Sequence, residues 1–180
     1  MAFRNNYGID EKIKKIKLLI VDVDGVLTDG KSYIMPDGRE MKIFCVKDGS
    51  GIVMGHRGGI KTAIISGRKS SIVSSWAKTQ GIKDVFQKVF HKTDVFDKLK
   101  QKYKLKSEEI AFIGDDMIDI PLLRKVGLSI TVADAAKDLR KEVDFITSAS
   151  GGQGAVREVM ELTLKTQKKW KKATEVYFKK

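Results

Sequence analysis

Residues 18–29 read LLIVDVDGVLTD, an apolar run that ends in two aspartates separated by a single valine. Four consecutive apolar residues are typical of a central strand in a parallel sheet that is covered on both faces. Such strands deliver ligand-binding side chains at their carboxyl ends. Side chains two positions apart on an extended backbone point the same way, so Asp22 and Asp24 could reach one cation or one phosphoryl group. This stretch alone leaves a solvated acidic turn as the alternative.

Three further clusters of polar residues lie next to predicted strands or helices, and they strengthen the first interpretation. They are Ser66 after the strand pattern 62–65, Lys92 near the start of the amphipathic segment 91–103, and Asp115, Asp116 and Asp119 after the strand pattern 110–113. Magnesium-dependent phosphoryl transfer needs oxygen ligands for a hard cation, and hydroxyl or cationic donors for phosphate oxygens. The four clusters supply both kinds of group.

In this order, the clusters resemble the motifs of the haloacid dehalogenase superfamily of phosphatases. The first motif of that superfamily is Asp-x-Asp-x followed by Thr or Val, and residues 22–26 read DVDGV. The resemblance covers roughly residues 15–160, and it is closest to the small phosphatases that act on 3-deoxy-D-manno-octulosonate 8-phosphate. Three stretches carry this finer match: DVDGVLTDG at 22–30, VKDGSGI at 46–52 and GGQGAVRE at 151–158.

The resemblance implies a catalytic role for each matched aspartate and Mg²⁺ as the cofactor. Asp22 would attack phosphorus, form an aspartyl phosphate and bind the metal ion. Asp24 would protonate the departing sugar oxygen, later deprotonate the attacking water, and bind the ion through its backbone carbonyl. Asp115 would be the remaining protein ligand to Mg²⁺. Asp116 or Asp119 would support these ligands without touching the ion.

Three residues are expected to bind the transferring phosphate: Ser66, Gly67 and Lys92. The Ser66 hydroxyl and the neighbouring amides can donate to phosphate oxygens, and Lys92 can add a full positive charge. Simpler interpretations stay open for individual residues. Ser66 could cap the helix that follows it, Lys92 could be a solvated lysine, and Asp119 could be a first-turn acid favoured by the helix dipole.

Four residues match positions that contact the sugar acid in the octulosonate phosphatases: Lys47, Asp48, Gly49 and Arg68. A guanidinium binds a carboxylate through two hydrogen bonds, so Arg68 favours an acidic sugar. Related phosphatases of nine-carbon keto-deoxy sugars tend to carry Glu at that position.

Three other residues depart from the octulosonate pattern. Val53 and Trp76 stand where those enzymes often carry arginine, and Gln153 replaces another arginine within the Gly-Gly-x-Gly turn. These departures do not touch the predicted hydrolytic residues. They leave open whether the substrate is an octulosonate 8-phosphate, a nonulosonate 9-phosphate or another small ester.

Apolar strand patterns alternate with helical patterns along the whole chain. The strand patterns fall at residues 17–23, 60–65, 84–86, 110–113, 128–132 and 143–146. This alternation predicts an α/β fold in one domain over residues 1–180, with a Rossmann-like doubly wound parallel sheet flanked by helices. Residues 31–45 predict a projecting β-hairpin, because Pro-Asp-Gly at 36–38 separates two alternating runs. From residue 155 onward, the spacing predicts one basic amphipathic helix as the tail.

The distances between motifs predict that the chain lacks a separate cap domain. From Asp22 to Ser66 there is room only for the hairpin and one helix, and from Ser66 to Lys92 only for a helix and a short strand. The octulosonate phosphatases assemble as tetramers in which neighbouring subunits close the cleft, so the resemblance implies a homotetramer with the hairpin at the oligomer surface. A monomer with an open site is the alternative.

The net charge of +12 invites the hypothesis of a basic binding module. However, the lysines are spread along the chain and aromatic residues are not interleaved with them, so we expect no nucleic-acid partner. A small anionic sugar-acid phosphate fits the positive potential better. Cys45 is the only cysteine, which indicates a reducing compartment, and no apolar run reaches membrane-spanning length. We therefore expect a cytoplasmic protein with no membrane partner.

Overall fold

The computed structural model describes residues 6–179. Within this range, the chain forms eight strands and seven α-helices, joined by loops and short 3₁₀ turns. The strands are β1 (Leu18–Val21), β2 (Tyr33–Ile34), β3 (Glu40–Met41), β4 (Lys61–Ile65), β5 (Asp84–Phe86), β6 (Ile110–Gly114), β7 (Leu128–Thr131) and β8 (Phe145–Ile146). The helices are α1 (Asn6–Lys15), α2 (Val46–Arg57), α3 (Ser71–Thr79), α4 (Lys92–Tyr103), α5 (Ile120–Leu123), α6 (Ala155–Thr166) and α7 (Trp170–Thr174).

Six of the strands form one parallel sheet in the order β5-β4-β1-β6-β7-β8, which confirms the predicted Rossmann-like α/β fold. β1 lies in the interior of the sheet, and all four of its residues are buried, as their continuous apolar pattern predicted. The strand order reverses at β1, because β4 and β5 follow on one side of it and β6, β7 and β8 on the other. Ligand sites in such sheets lie outside the carboxyl ends of the strands at this reversal.

Strands β2 and β3 pair separately as an antiparallel hairpin between β1 and α2. Its apolar residues are largely exposed, among them Ile34 at 70% and Ile43, just after β3, at 54%. The described residues 22–109 contain the hairpin, α2, α3 and α4 around strands β4 and β5, and no separate cap domain. No helix within residues 6–179 has both the length and the hydropathy that crossing a membrane would require.

The carboxyl-terminal segment differs from the single helix that its spacing predicted. Helix α6 ends at Thr166, and α7 begins only at Trp170. Lys168 adopts a left-handed conformation with φ of 57°, which a continuous helix excludes. The Gln167 side chain donates to the carbonyls of Ile13 and Ile16, at 2.8 and 2.7 Å. The break therefore anchors the end of α6 to the end of α1, a long-range contact that helical periodicity does not encode.

Candidate active site

The register of three adjacent strands brings the predicted motifs to one edge of the sheet. Val21, the last residue of β1, pairs with Ile64 of β4 and with Ile113 of β6. The residues that follow these strands therefore emerge side by side. Asp22 donates its backbone N–H to the Ile113 carbonyl at 3.1 Å, which extends the pairing by one residue into the first motif.

Three carboxylates meet at this edge: Asp22, Asp115 and Asp119. One oxygen from each lies within 4.8 Å of the others, a spacing that fits a shared metal ion. The structure thus brings together the predicted pair Asp22 and Asp115, and it adds Asp119. The Asp24 carboxylate lies outside this group. The role of the Asp24 backbone carbonyl as a metal ligand stays a prediction.

The electrostatics of the cluster fit a divalent cation. Burial raises the pKa of Asp22, Lys92 opposes this effect and the Asp119 charge adds to it, so that the pKa lies at about 6. Burial and, after it, the neighbouring charges of Asp22, Asp119 and Asp116 together raise the pKa of Asp115 to about 7. Carboxylates that repel one another in a dehydrated site are stabilised by a bound cation, and Mg²⁺ prefers carboxylate oxygens.

A glycine in the first motif permits this close approach. A Cβ atom on Gly25 would lie 1.9 Å from Asp115 Oδ2, so any other residue would collide with the metal-site carboxylate. Gly25 also has φ of 85°, a conformation that L side chains rarely adopt. The glycine after the second aspartate of DVDGV is therefore required by both the backbone turn and the position of Asp115.

Lys92 lies at the centre of the cluster and is 4% exposed. Its Nζ atom donates to Asp22 Oδ2 at 2.5 Å and to Asp119 Oδ1 at 2.6 Å. Burial alone lowers the pKa of Lys92, but the two carboxylates outweigh that effect and hold the pKa above its ordinary value. Lys92 is thus a buried cation, and the interpretation as a solvated lysine is wrong.

The two candidate supporting acids have different environments. Asp119 is fully buried and accepts the backbone N–H groups of Asp115 and Asp116, at 3.0 and 3.3 Å, in addition to Lys92. Asp116 is exposed, and its side chain accepts the N–H of Met117 at 2.7 Å. Asp119 therefore fixes the loop that carries Asp115, whereas Asp116 only caps the next turn.

Ser66 and Gly67 follow β4 at the same edge of the sheet. Ser66 is 3% exposed, and its backbone N–H donates to the Phe86 carbonyl at 2.9 Å. Helix α3 begins only at Ser71, with Ser70 at its N-cap position, so the interpretation of Ser66 as a helix cap is wrong. The Ser66 hydroxyl accepts the Arg68 N–H at 3.3 Å and keeps its own proton for another acceptor.

The four predicted sugar contacts lie in different environments. Lys47 is exposed at the start of α2, and Gly49 is buried against Gln80. Asp48 is 0% exposed, and its carboxylate accepts the N–H groups of Arg157 and Gly154, at 2.8 and 3.3 Å. Its observed role is to hold α2 against the beginning of α6, and the buried carboxylate is not available to a substrate.

Arg68, the fourth predicted sugar contact, reaches across to the hairpin. Its guanidinium donates to Glu40 Oε1 at 2.8 Å and to the Ser32 hydroxyl at 3.0 Å. The departures Val53 and Trp76 line a shallow groove beside α2, where the Trp76 ring stacks on Phe44 with centroids 4.5 Å apart. Val53 and Trp76 thus give this groove apolar side chains where the sequence resemblance leads one to expect arginines.

Sequence reasoning missed one residue next to the predicted machinery. Lys42 follows β3, its side chain is 1% exposed, and its ammonium forms an ion pair with Asp24. Nothing in the sequence separates this lysine from the many others in the chain. Alternation in the hairpin places Lys42 on the same face as Glu40, and this was the only available signal.

Comparisons with known proteins identify the family of this chain. A family model described as haloacid dehalogenase-like hydrolase matches residues 61–160. The 3-deoxy-D-manno-octulosonate 8-phosphate phosphatase KdsC of Escherichia coli K12 is 45% identical over 158 residues, which cover 88% of this chain and 84% of that protein. The KdsC protein of Yersinia pestis is 41% identical over 164 residues, covering 91% of this chain and 88% of its own.

A solved structure gives the same result. The 3-deoxy-D-manno-octulosonate 8-phosphate phosphatase of Moraxella catarrhalis, crystallised with a magnesium ion, a phosphate ion and KDO, superposes with a TM-score of 0.92. It is 38% identical, and the match covers 97% of this chain and all of that one. From the matched family model, the relatives and the shared fold, we conclude that the chain belongs to the haloacid dehalogenase-like hydrolases, in the group of the KdsC phosphatases.

Proposed function

We propose that the protein is a Mg²⁺-dependent phosphatase that hydrolyses 3-deoxy-D-manno-octulosonate 8-phosphate to 3-deoxy-D-manno-octulosonate and phosphate. The observation that carries this proposal is the meeting of the Asp22, Asp115 and Asp119 carboxylates around one point beside a buried lysine. The identity of 45% to KdsC over most of the chain supports the same substrate. The product would enter lipopolysaccharide synthesis.

In this mechanism, hydrolysis is divided into two displacements at phosphorus. Asp22 attacks the phosphoryl group and forms an aspartyl phosphate, while Asp24 donates a proton to the departing sugar oxygen. Asp24 then removes a proton from the water that attacks the aspartyl phosphate. Lys92 and the Ser66 hydroxyl hold the phosphate oxygens, and the Gly67 amide adds another donor.

The metal would be held by Asp22, Asp115 and the backbone carbonyl of Asp24. When bound, Mg²⁺ neutralises the negative charges of nucleophile and phosphate and stabilises the in-line transition state. Asp119 positions the Asp115 loop through its backbone hydrogen bonds and also fixes Lys92. Each of these tasks falls to a group that is buried or partly buried at the carboxyl edge of the sheet.

Substrate recognition is the second part of the proposal. Arg68 would bind the sugar carboxylate and exchange its contact with Glu40 for the substrate, and Lys47 would contribute from the start of α2. A nonulosonate 9-phosphate, or another small ester, is the competing substrate. The observation that favours it is the apolar groove of Phe44, Val53 and Trp76, which replaces two expected arginines.

A phosphate-release panel tests the substrate. The purified protein is assayed with and without Mg²⁺ on octulosonate 8-phosphate, nonulosonate 9-phosphates, hexose phosphates and nucleotides. We expect the highest kcat/KM with octulosonate 8-phosphate, and no release after chelation of the metal. Preference for a nonulosonate ester would support the proposed phosphatase mechanism but contradict the proposed substrate. Phosphate release from none of the esters would contradict the enzymatic function.

We further propose a cytoplasmic homotetramer in which neighbouring subunits cover the open site. The support is the exposed apolar surface of the hairpin, including Ile34, Met35 and Met41 at 70%, 46% and 46%. An exposed apolar patch of this kind is typical of an interaction site. Light scattering coupled to gel filtration measures the mass directly. A monomer mass would contradict the proposal, and Ile34→Asp is expected to lower the mass of a tetramer.

A further inference from the structure

The hairpin directs the buried side chain of Lys42 towards the catalytic loop, the segment after β1 that carries Asp22 and Asp24. Lys42 has a side chain that is 1% exposed. Its neighbours Met41 and Ile43 are 46% and 54% exposed. The Lys42 ammonium donates to Asp24 Oδ1, and it lies 3.5 Å from Glu40 Oε1. A lysine in an otherwise exposed hairpin is thus enclosed between two carboxylates.

This burial fixes the position of the ammonium. A buried, unpaired ammonium is costly, so Lys42 is stable in this place only while a carboxylate remains beside it. Glu40 holds the ammonium from one side and also accepts a hydrogen bond from Arg68 at 2.8 Å. Alternating charges therefore run from Asp24 through Lys42 and Glu40 to Arg68. The ammonium has little freedom to move away from Asp24.

Lys42 contacts only one of the two carboxylate oxygens of Asp24. The Asp24 side chain is 24% exposed, so it is open to the site, while Lys42 is not. Among the described residues, Oδ1 of Asp24 is bound to Lys42, and Oδ2 has no hydrogen-bond partner. One carboxylate oxygen is therefore anchored by Lys42, and the other keeps its full capacity to bind a ligand. This is the geometry that a carboxyl group needs in order to transfer a proton in a fixed direction.

We propose that Lys42 is a positioning residue that orients Asp24 for proton transfer to the leaving group. The inference rests on the proposed function, in which Asp24 is the general acid and base. Lys42 itself touches neither phosphate nor sugar in this scheme. Its loss should therefore slow the chemical step and leave substrate affinity nearly unchanged, which separates it from a binding residue.

The leaving group provides the decisive test. Release of a sugar hydroxyl requires a proton from Asp24, whereas release of 4-nitrophenolate does not. For Lys42→Met with octulosonate 8-phosphate, we expect kcat to fall by about 100-fold, in the range of general acid catalysis, with KM within about threefold. With 4-nitrophenyl phosphate, the burst of nitrophenolate that reports aspartyl-phosphate formation should keep its rate within about threefold.

Two outcomes would overturn the proposal: an unchanged kcat with the sugar ester, or a fall in the nitrophenolate burst rate as large as the fall in kcat with the sugar ester. The control is Lys141→Met, which removes an exposed cation that lies outside the hairpin and pairs with Asp138 and not with Asp24. It should behave as the wild type with both esters. If circular dichroism shows that Lys42→Met is unfolded, Lys42→Gln replaces it, because its neutral side chain is polar but ends one bond short of the ammonium position and does not hold Asp24 Oδ1; the same selective loss is expected.

Comparison with Asp24→Asn separates this proposal from the proposed function. In the double variant, Lys42→Met should add less than about a twofold loss to that of Asp24→Asn alone, because Lys42 acts only through Asp24. If Asp24→Asn retains full turnover, the assignment of the general acid fails. If Asp24→Asn is inactive and Lys42→Met is fully active, only the role of Lys42 fails.

Discussion

The Lys92 ammonium lies 2.5 Å from the Asp22 carboxylate, although 70 positions separate the two residues in the chain. The contact forms because α4 begins at Lys92 and directs it towards the carboxyl end of β1. The same ammonium also binds Asp119. One cation therefore balances part of the charge of the proposed nucleophile before a phosphate or a metal ion enters the site, and it is already in place to receive the phosphate.

Asp22→Asn should abolish phosphate release without unfolding the protein. The amide has nearly the same shape as the carboxylate, but it cannot attack phosphorus to form the acyl phosphate. Turnover and thermal unfolding of the variant are compared with those of the wild type. Asp37→Asn, at the exposed hairpin turn, is the control and should remain fully active. Unchanged turnover in Asp22→Asn would rule out Asp22 as the nucleophile, whereas a wild type that releases no phosphate would favour the basic binding module.

Lys92→Met should lower the free energy of unfolding by about 3–5 kcal/mol, because it leaves Asp22 and Asp119 buried without their cation. Urea denaturation of the metal-free protein measures this loss. Lys98→Met is the control, since it also removes a lysine of α4, but one that is exposed. The double variant Lys92→Met/Asp119→Asn should recover part of the stability. A loss no larger than that of the control would contradict the buried cluster.

Magnesium binding should weaken as the pH falls. Without a metal, the pKa of Asp115 is raised to about 7 and that of Asp22 to about 6. Mg²⁺ needs both carboxylates deprotonated, so protons compete with it below these values. We expect the apparent affinity to fall by up to about tenfold between pH 7 and 6, and more steeply below pH 6.

Isothermal titration calorimetry at pH 6, 7 and 8 measures this dependence, and two buffers with different ionisation enthalpies reveal the protons released on binding. Raised carboxylate pKa values also mean that the folded, metal-free protein binds more protons than the unfolded chain. Its stability should therefore fall as the pH rises towards 7, and added Mg²⁺ should restore it. An affinity that is constant from pH 6 to 8 would contradict the raised pKa values.

Gly151→Ala should disturb the first motif from the other end of the chain. A Cβ atom at this position would lie 1.9 Å from the Gly25 carbonyl oxygen, so one of the two turns must move. We expect a destabilisation of about 1–3 kcal/mol, as for other overpacked sites, together with a reduced kcat. Gly8→Ala in α1 meets nothing within 4 Å, and it should be neutral or stabilising in the same assays.

The sheet and the cluster of motifs could be predicted from the sequence because local patterns encode them. Continuous apolar runs such as residues 18–21 mark buried parallel strands, and their carboxyl ends must share one edge. Asp22, Ser66 and Asp115 follow such runs directly, so their meeting required no knowledge of side-chain contacts. The resemblance supplied Lys92, which composition alone would have left among the surface lysines.

The contacts that sequence reasoning missed depend on tertiary packing, which brings side chains from distant parts of the chain together. Asp48 matched a sugar-binding motif, yet it is used to hold α6, and this outcome depends on the packing of α2 against that helix. The burial of Lys42 depends on how the hairpin folds back over the catalytic loop. The break at Lys168 depends on Gln167 reaching α1. None of these contacts leaves a periodic trace in the sequence.

The close contact between Gly25 and Gly151 has a consequence for the protein during its synthesis. The Gly152 N–H donates to the Val26 carbonyl at 2.9 Å, so the turn at 151–154 supports a loop that the ribosome makes near the start of translation. A nascent chain therefore carries the sequence DVDGV long before that loop has its support. Translation that stops before residue 151 yields a polypeptide with every proposed catalytic aspartate and an unsupported catalytic loop.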